Sequence, residues 1–87
     1  MMKIDEFETF MNVVEQAKTV LLKFKKETNG EIVEKEVTFS DLPETDKKSN
    51  KMSYVKNSLV PLIFKSKTDK ESYRSCYFKN IVSYSAI

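Results

Sequence analysis

The most informative segment of this 87-residue chain is Lys23-Phe24-Lys25-Lys26-Glu27-Thr28-Asn29-Gly30-Glu31-Ile32-Val33. It holds the chain's single glycine, which follows an asparagine between two runs of strand-forming residues. Asn-Gly is the strongest short-range signal for a β-hairpin, because a two-residue type I′ turn needs a positive φ at both central positions. The segment therefore predicts an Asn-Gly hairpin over residues 19–39.

A two-residue turn at Asn29-Gly30 also predicts the register of this hairpin. Thr28 then lies opposite Glu31, and the pairing runs back along the strands until Val20 lies opposite Phe39. Side chains alternate along a strand, so one face of the hairpin is apolar. The members of that face are Val20, Leu22, Phe24, Val37 and Phe39. On the other face the predicted register sets Lys25 opposite Glu34 and Lys23 opposite Glu36, which pairs opposite charges.

The length and composition indicate one domain over residues 1–87. Hydrophobic residues make up 40% of the chain, which supports one modest core. No apolar run approaches the roughly 20 residues that span a bilayer, and residues 1–6 lack the apolar stretch of a signal peptide. The one cysteine, Cys76, cannot form an intramolecular disulfide and is expected to be a buried, inert thiol. These features predict a cytoplasmic protein without contact to a membrane.

The absence of histidine limits the chemistry that the chain can perform. One cysteine and no histidine exclude the usual structural zinc sites and any Ser-His or Cys-His nucleophile. The acidic residues lie mostly in the N-terminal segment and on the hairpin face where lysines pair with them. The sequence therefore predicts a protein that is not an enzyme and that carries no cofactor and no metal.

Residues 4–17 are predicted to form an amphipathic helix. Apolar residues recur there at spacings of three and four, namely Ile4, Phe7, Phe10, Met11, Val14 and Ala17. We expect this stripe to pack on the sheet. If Phe7 and Phe10 are buried, the helix is scaffold and the basic C-terminal half is the working surface, whereas an exposed Phe7 or Phe10 would point to a partner-binding helix.

The second half of the chain is predicted to contain a loop and then short strands. Residues 44–58 are polar without clear periodicity, which predicts a long polar loop. Residues 59–87 contain three further β-prone segments, the last of which is either a short strand or one turn of 3₁₀ helix. One N-terminal helix and five short antiparallel segments indicate an α+β, mainly β protein built as a small, partly open barrel.

Basic and aromatic residues are interleaved in the C-terminal half. Residues 1–44 hold six lysines and ten acidic residues, whereas residues 45–87 hold eight lysines, one arginine and three acidic residues. Such residues can bind single-stranded nucleic acid, because the cations contact phosphates and the aromatic rings stack on bases. Lysines of this kind also keep small domains soluble, which is the alternative explanation. The candidate binding residues are Lys65, Lys67, Lys70, Tyr73, Arg74, Tyr77 and Lys79.

Alternation in the predicted strand over residues 72–78 separates two sets of side chains. It sets Tyr73, Ser75 and Tyr77 on one face, with Arg74 on the other beside Cys76 and Phe78. We expect Cys76 and Phe78 to belong to the core. Arg74 then lies among apolar neighbours, either paired with an acidic residue at a strand end or in a binding site.

The order of these segments resembles the small SH3-like β-barrel proteins encoded by bacteriophages and other mobile elements. The resemblance rests on the Asn29-Gly30-Glu31 turn, on Asp41-Leu42-Pro43-Glu44, on Tyr73-Arg74-Ser75 and on Phe78-Lys79-Asn80-Ile81. A weaker similarity is to WYL-type ligand-sensing domains, also SH3-like barrels, although this chain lacks the Trp-Tyr-Leu signature. The resemblance implies an SH3-like barrel of phage origin and no particular chemistry.

Together these observations predict a non-enzymatic accessory protein that binds a macromolecule in the cytoplasm of a bacterial host. The expected partner is a host protein, such as a component of defence or transcription that the chain inhibits. The alternative is a nucleic-acid-binding module that uses the basic, aromatic-rich half. A homodimer formed through an edge strand is compatible with both hypotheses.

Overall fold

The computed structural model of the chain describes residues 3–57, 59–67 and 73–87, apart from the side chain of Tyr54. Two helices and five strands follow one another with two 3₁₀ turns. In chain order these elements are a 3₁₀ turn (Ile4–Glu6), α1 (Phe7–Gln16), β1 (Val20–Lys25), β2 (Ile32–Thr38), α2 (Glu44–Val55), β3 (Leu62–Ser66), β4 (Tyr73–Cys76), a second 3₁₀ turn (Phe78–Asn80) and β5 (Ile81–Ala86).

The strands form one antiparallel sheet in the order β4-β3-β2-β1-β5. Strands β1 to β4 are therefore neighbours in chain order, whereas β5 returns to pair with β1. This arrangement confirms an α+β, mainly β fold with an N-terminal helix. The helix predicted over residues 4–17 begins as a 3₁₀ turn and continues as α1 to Gln16.

The core lies between α1 and the inner face of the sheet. All four apolar side chains of the α1 stripe are buried, namely Phe7, Phe10, Met11 and Val14. Aromatic rings meet edge to face around Phe10, whose ring centroid lies 5.7 Å from that of Phe39, 5.3 Å from that of Phe78 and 4.9 Å from that of Tyr84. Such pairs stabilise a core beyond the area that they bury. The helix is therefore part of the scaffold.

The hairpin exists, but its predicted register is wrong by two residues. Val20 lies opposite Val37 rather than Phe39, and Lys23 lies opposite Glu34 rather than Glu36. Lys25 has no acidic residue across from it. Because side chains alternate with a period of two, a shift of two residues leaves every side chain on its predicted face. The predicted apolar face is accordingly buried throughout.

The turn is longer than two residues, which is why the register shifts. The Lys26 N–H donates to the Glu31 carbonyl at 2.8 Å, so the loop spans four residues from Glu27 to Gly30. Within it the Gly30 N–H donates to the Lys26 carbonyl at 2.9 Å, and Asn29 Oδ1 accepts from the Glu31 N–H at 3.0 Å. Gly30 has a φ of +72°, whereas Asn29 keeps a negative φ, so a type I′ turn is ruled out.

The long polar loop predicted over residues 44–58 is wrong, because Glu44–Val55 is the helix α2. Its first turn bonds to the Pro43 carbonyl and carries Glu44 and Asp46, which suit the positive end of the helix dipole. Among its described side chains, those that α2 buries are polar, namely Asn50 and Ser53. These residues form no apolar stripe, so the segment lacks the hydrophobic periodicity that predicts helices.

Asn50 completes the sheet where β2 leaves β3. Strands β2 and β3 pair through Thr38 and Lys65, and the next hydrogen-bonded position on β3 is Ile63. There the Ile63 N–H donates to Asn50 Oδ1 at 2.7 Å, and Asn50 Nδ2 donates to the Ile63 carbonyl at 2.9 Å. The side-chain amide of α2 thus takes the position that a further β2 residue would occupy. It satisfies two backbone groups that burial would otherwise leave without a partner.

The strands predicted over residues 59–87 are present with shorter bounds. The first begins at Leu62, directly after Pro61, which lacks the N–H that a strand interior uses. The last segment was predicted as either a short strand or one turn of 3₁₀ helix, and it is the strand β5, which begins at Ile81. A 3₁₀ turn is present as well, but it lies before this strand and ends at Asn80.

Candidate functional site

The structure divides the predicted binding residues between separate surfaces. Lys65 and Lys67 lie on one side, next to Asp41 and Thr19. Lys65 Nζ is 3.3 Å from Asp41 Oδ2, and Lys67 Nζ donates to Thr19 Oγ1 at 3.1 Å. Lys65 Nζ also lies 5.8 Å from the centroid of the Tyr73 ring. These contacts tie β3 to the segments around it, so both lysines have local structural partners.

Tyr73 and Arg74 are neighbours in β4 but lie on opposite faces of it. Tyr73 pairs with Lys65 and is 51% exposed on the outer face. Arg74 lies opposite Phe64, on the same side as the buried Cys76. Its Nη1 donates to the Tyr73 carbonyl at 3.2 Å. Arg74 therefore occupies the end of the inner face, which is the location that the alternation predicts.

Tyr77 and Lys79 form a third group, around the second 3₁₀ turn. Lys79 Nζ lies 5.4 Å from the centroid of the Tyr77 ring, in a cation–π contact. Tyr77 is half-buried and Lys79 is exposed. The remaining candidate, Lys70, lies outside the described residues.

Arg74 and Tyr77 line a pocket between the β1–β2 loop and β4, which we call the hairpin-end pocket. Its volume is about 420 Å³, within the range of small-ligand pockets. Its apolar lining comprises Phe24, Pro61, Cys76 and Tyr77, and its cationic lining comprises Lys25, Lys26, Lys35 and Arg74. The pocket therefore joins residues of both halves of the chain.

The charge of the hairpin-end pocket is strongly positive. Four cationic side chains line it, and Glu27 is the acidic residue among its described lining. The carboxylate of Glu27 accepts a hydrogen bond from the side-chain amide of Asn80, which also holds the hairpin loop to the 3₁₀ turn. Lys25, Lys26 and Arg74 are exposed and Lys35 is half-buried, so Coulomb attraction between this cluster and an anion acts near the protein surface. The arrangement suits an anionic ligand that also presents an apolar or aromatic surface.

Sequence reasoning missed three of the four cations of this pocket. The predicted register sets Lys25 opposite Glu34 on the other face from Phe24, but Lys25 and Lys26 both line the pocket, next to the loop that begins at Glu27. Lys35 did carry a signal, because it alternates with Val33 and Val37 on the inner face of β2. A lysine in the apolar row of a strand is unusual and indicates an open end of the core or a site.

Cys76 contributes surface and no nucleophile to the pocket. Burial raises the pKa of its thiol from 9.0 to about 12. The thiolate is the reactive form, so a thiol that stays protonated at neutral pH is inert. The side chain is 7% exposed and belongs to the core cluster, as the alternation predicts, together with Phe78.

Two further features bear on the kind of site. Within residues 3–57, 59–67 and 73–87, no three acidic, histidine or cysteine side chains lie close enough together to hold a metal ion. In the same part of the chain, neither α1 nor α2 has the length and apolarity of a helix that crosses a bilayer.

Comparison of the chain with protein-family models, curated proteins and solved structures gives no match.

Proposed function

We propose that this protein is a binding module that holds single-stranded nucleic acid at the hairpin-end pocket. The observation that carries the proposal is the convergence of Lys25, Lys26, Lys35 and Arg74 on one pocket with an apolar and aromatic lining. Phosphates bind such cations, and a base can stack on a side chain such as Tyr77. The burial of Phe7 and Phe10 supports the assignment of the N-terminal helix to the scaffold.

A barrel-like framework of SH3 type would hold this pocket rigidly, and we propose that fold. Strands β1 to β4 are consecutive in the sheet and β5 returns to pair with β1, a strand order that supports a small, partly open barrel with β4 and β5 at its edges. The pocket then lies on strands and a tight loop joined by the Glu27–Asn80 bond. The site of action that we propose is the cytoplasm of a bacterial host, and the work is binding rather than catalysis.

The test compares binding of single-stranded oligonucleotides by two double variants with the same change in net charge. We expect the affinity of the wild type to fall with salt, with a slope of about −0.7 in log–log form for each phosphate contacted. Replacing Lys35 and Arg74 by glutamine should reduce that slope by about 1.4 and weaken binding. Fluorescence anisotropy at several salt concentrations measures both quantities.

The matched control replaces Lys48 and Lys56 by glutamine. Both are exposed residues of α2 or the turn after it, and neither lines the pocket. The control should bind as the wild type does, apart from a small loss from the lower net charge. Equal losses in the two double variants would contradict a site at the pocket, and an absence of binding at low salt would reject the function.

A second candidate function, binding of a host protein, is favoured by apolar side chains exposed around the end of α2. Met52 is 42% exposed, Val55 is 69% exposed and Leu59 is 73% exposed. Exposed apolar patches are typical of protein-binding surfaces. The resemblance to phage-encoded accessory proteins supports the same candidate, including the inhibition of a host component.

A pull-down from bacterial lysate, with nuclease and at high salt, tests this second candidate. We expect one defined protein to be retained by the wild type and lost when Val55 and Leu59 are both replaced by aspartate. Retention that is equal in both proteins would place the contact elsewhere. Recovery of nucleic acid that disappears at high salt would instead favour the hairpin-end pocket.

A further inference from the structure

Strand β5 is an edge of the sheet and has an unusual composition for an edge. The sheet order leaves β4 and β5 at its two sides. Of the five strands that the structure describes, β5 alone carries no charged residue. Natural edge strands are generally protected by lysines, prolines or strong bulges, because an unprotected edge pairs with other strands. β5 has a register shift near its start, and the rest of the strand is regular.

The pairing with β1 defines which backbone groups of β5 face outward. The Ile87 N–H donates to the Thr19 carbonyl at 3.0 Å, and the regular register sets Ser85 opposite Leu21. Hydrogen-bonded pairs alternate with non-hydrogen-bonded pairs in an antiparallel ladder. Ser85 therefore directs its N–H and carbonyl toward β1, whereas Tyr84 and Ala86 direct theirs away from it. Among the described strands β5 pairs with β1 alone, so these outward groups form the free edge.

Solvent exposure supports a free edge along this strand. Ser83, Ser85 and Ala86 are all exposed, although Ser85 and Ala86 point to opposite faces of the sheet. Val82 is 39% exposed, and Ile87, directly after the strand, is 70% exposed. Donors, acceptors and apolar side chains are thus available together.

We propose that this edge pairs with β5 of a second copy of the chain, antiparallel and across a twofold axis. A twofold pairing sets an edge strand beside its own copy, so charges in that strand lie close to the same charges of the copy. The other edge strand, β4, carries Arg74, whereas β1, β2 and β3 lie inside the sheet. β5 meets a copy of itself with no charges opposed, while its outward donors and acceptors are self-complementary.

The contact is small, and this predicts a weak dimer. One strand pair buries less than the roughly 1,200 Å² that marks a standard interface. We therefore expect reversible dimerisation in the micromolar range of protein concentration. The hairpin-end pocket is lined by other elements, so dimerisation leaves it open.

Sedimentation velocity of the full chain tests this proposal. The wild type should change from monomer to dimer as its concentration rises through the micromolar range. Ala86→Pro removes an outward N–H without removing a bond to β1, and Ser85→Lys introduces a charge into the uncharged strand. Both variants should remain monomeric, whereas Thr45→Lys, an exposed residue of α2, should dimerise as the wild type does.

Amide hydrogen exchange of the wild type gives a second readout that needs no variant. The amides of Tyr84 and Ala86 should gain protection as the protein concentration rises, while that of Ser85 should be protected throughout. A wild type that stays monomeric up to high micromolar concentration would overturn the proposal and leave the edge to a strand of another protein. A dimer that persists in both folded variants, with no change at Tyr84 and Ala86, would equally overturn it.

Discussion

Replacing Phe10 by alanine is expected to lower the free energy of unfolding by about 3–5 kcal/mol. The Phe10 side chain is fully buried, and its ring contacts the rings of Phe39, Phe78 and Tyr84. It is therefore the point at which α1, β5 and the segments after β2 and β4 meet. Small domains are stable by only about 5–15 kcal/mol, so this loss removes much of the total. Chemical denaturation followed by far-UV circular dichroism measures it.

The controls for Phe10 separate loss of packing from a general effect of alanine. Phe10→Leu keeps most of the volume and should cost about 1–2 kcal/mol. Met52→Ala removes a large apolar side chain from a helix position that is 42% exposed and should change stability by less than about 0.5 kcal/mol. A Phe10→Ala variant that unfolds at the same denaturant concentration as Met52→Ala would contradict the assignment of α1 to the scaffold.

Replacing Asn50 by alanine is expected to lower the free energy of unfolding by about 2–4 kcal/mol. The variant loses both hydrogen bonds to Ile63, and the backbone donor and acceptor at that position lose their partner. Each buried polar group without a partner costs about 1–3 kcal/mol. The same denaturation experiment measures the change. We expect α2 and the adjacent part of β3 to lose amide protection first.

Asn12→Ala is the matched control, because Asn12 is an exposed asparagine inside α1. It measures the gain of about 0.6 kcal/mol that alanine brings to a helix interior in place of asparagine. The difference between the two variants is then the contribution of the Asn50 bonds. If both variants are equally stable, water replaces the side chain and α2 does not support the sheet.

The hairpin illustrates what local patterns can predict and where they fail. Which side chains face inward follows from the alternation of residues, and this part of the prediction is confirmed. The register depends on the length of the loop, and Asn29-Gly30 is compatible with loops of two and of four residues. The choice is made by the hydrogen bonds from Lys26 to Glu31 and from Gly30 to Lys26, which involve residues beyond the turn dipeptide.

The sequence pattern failed to predict α2 for a different physical reason. Among its described side chains the buried ones, Asn50 and Ser53, are polar, and Asn50 bonds to a strand that is distant in the sequence. A pattern of polarity within α2 cannot reveal a partner at Ile63. Only the divergence of β2 from β3 creates the position that Asn50 fills.

Only part of the hairpin-end pocket could be anticipated, because its lining residues come from segments that are distant in the sequence. Arg74 and Tyr77 line the hairpin-end pocket, whereas Lys65 and Lys67 contact Asp41 and Thr19 elsewhere. Alternation predicts Arg74 and Tyr77 on opposite faces, which is wrong, because β4 ends at Cys76 and Tyr77 lines the same pocket as Arg74. Lys25 and Lys26 lie next to the four-residue loop and line the pocket together with Lys35 of β2, a grouping that the sequence pattern did not predict.

A nuclear magnetic resonance titration of the labelled protein with a short single-stranded oligonucleotide locates the nucleic-acid site directly. We expect the largest amide shifts at the residues of the hairpin-end pocket, in the ranges 24–28 and 74–77 and at Lys35, and we expect salt to reverse them. Shifts confined to α2 and the residues that follow it, or no shifts at low salt, would contradict the proposed nucleic-acid site.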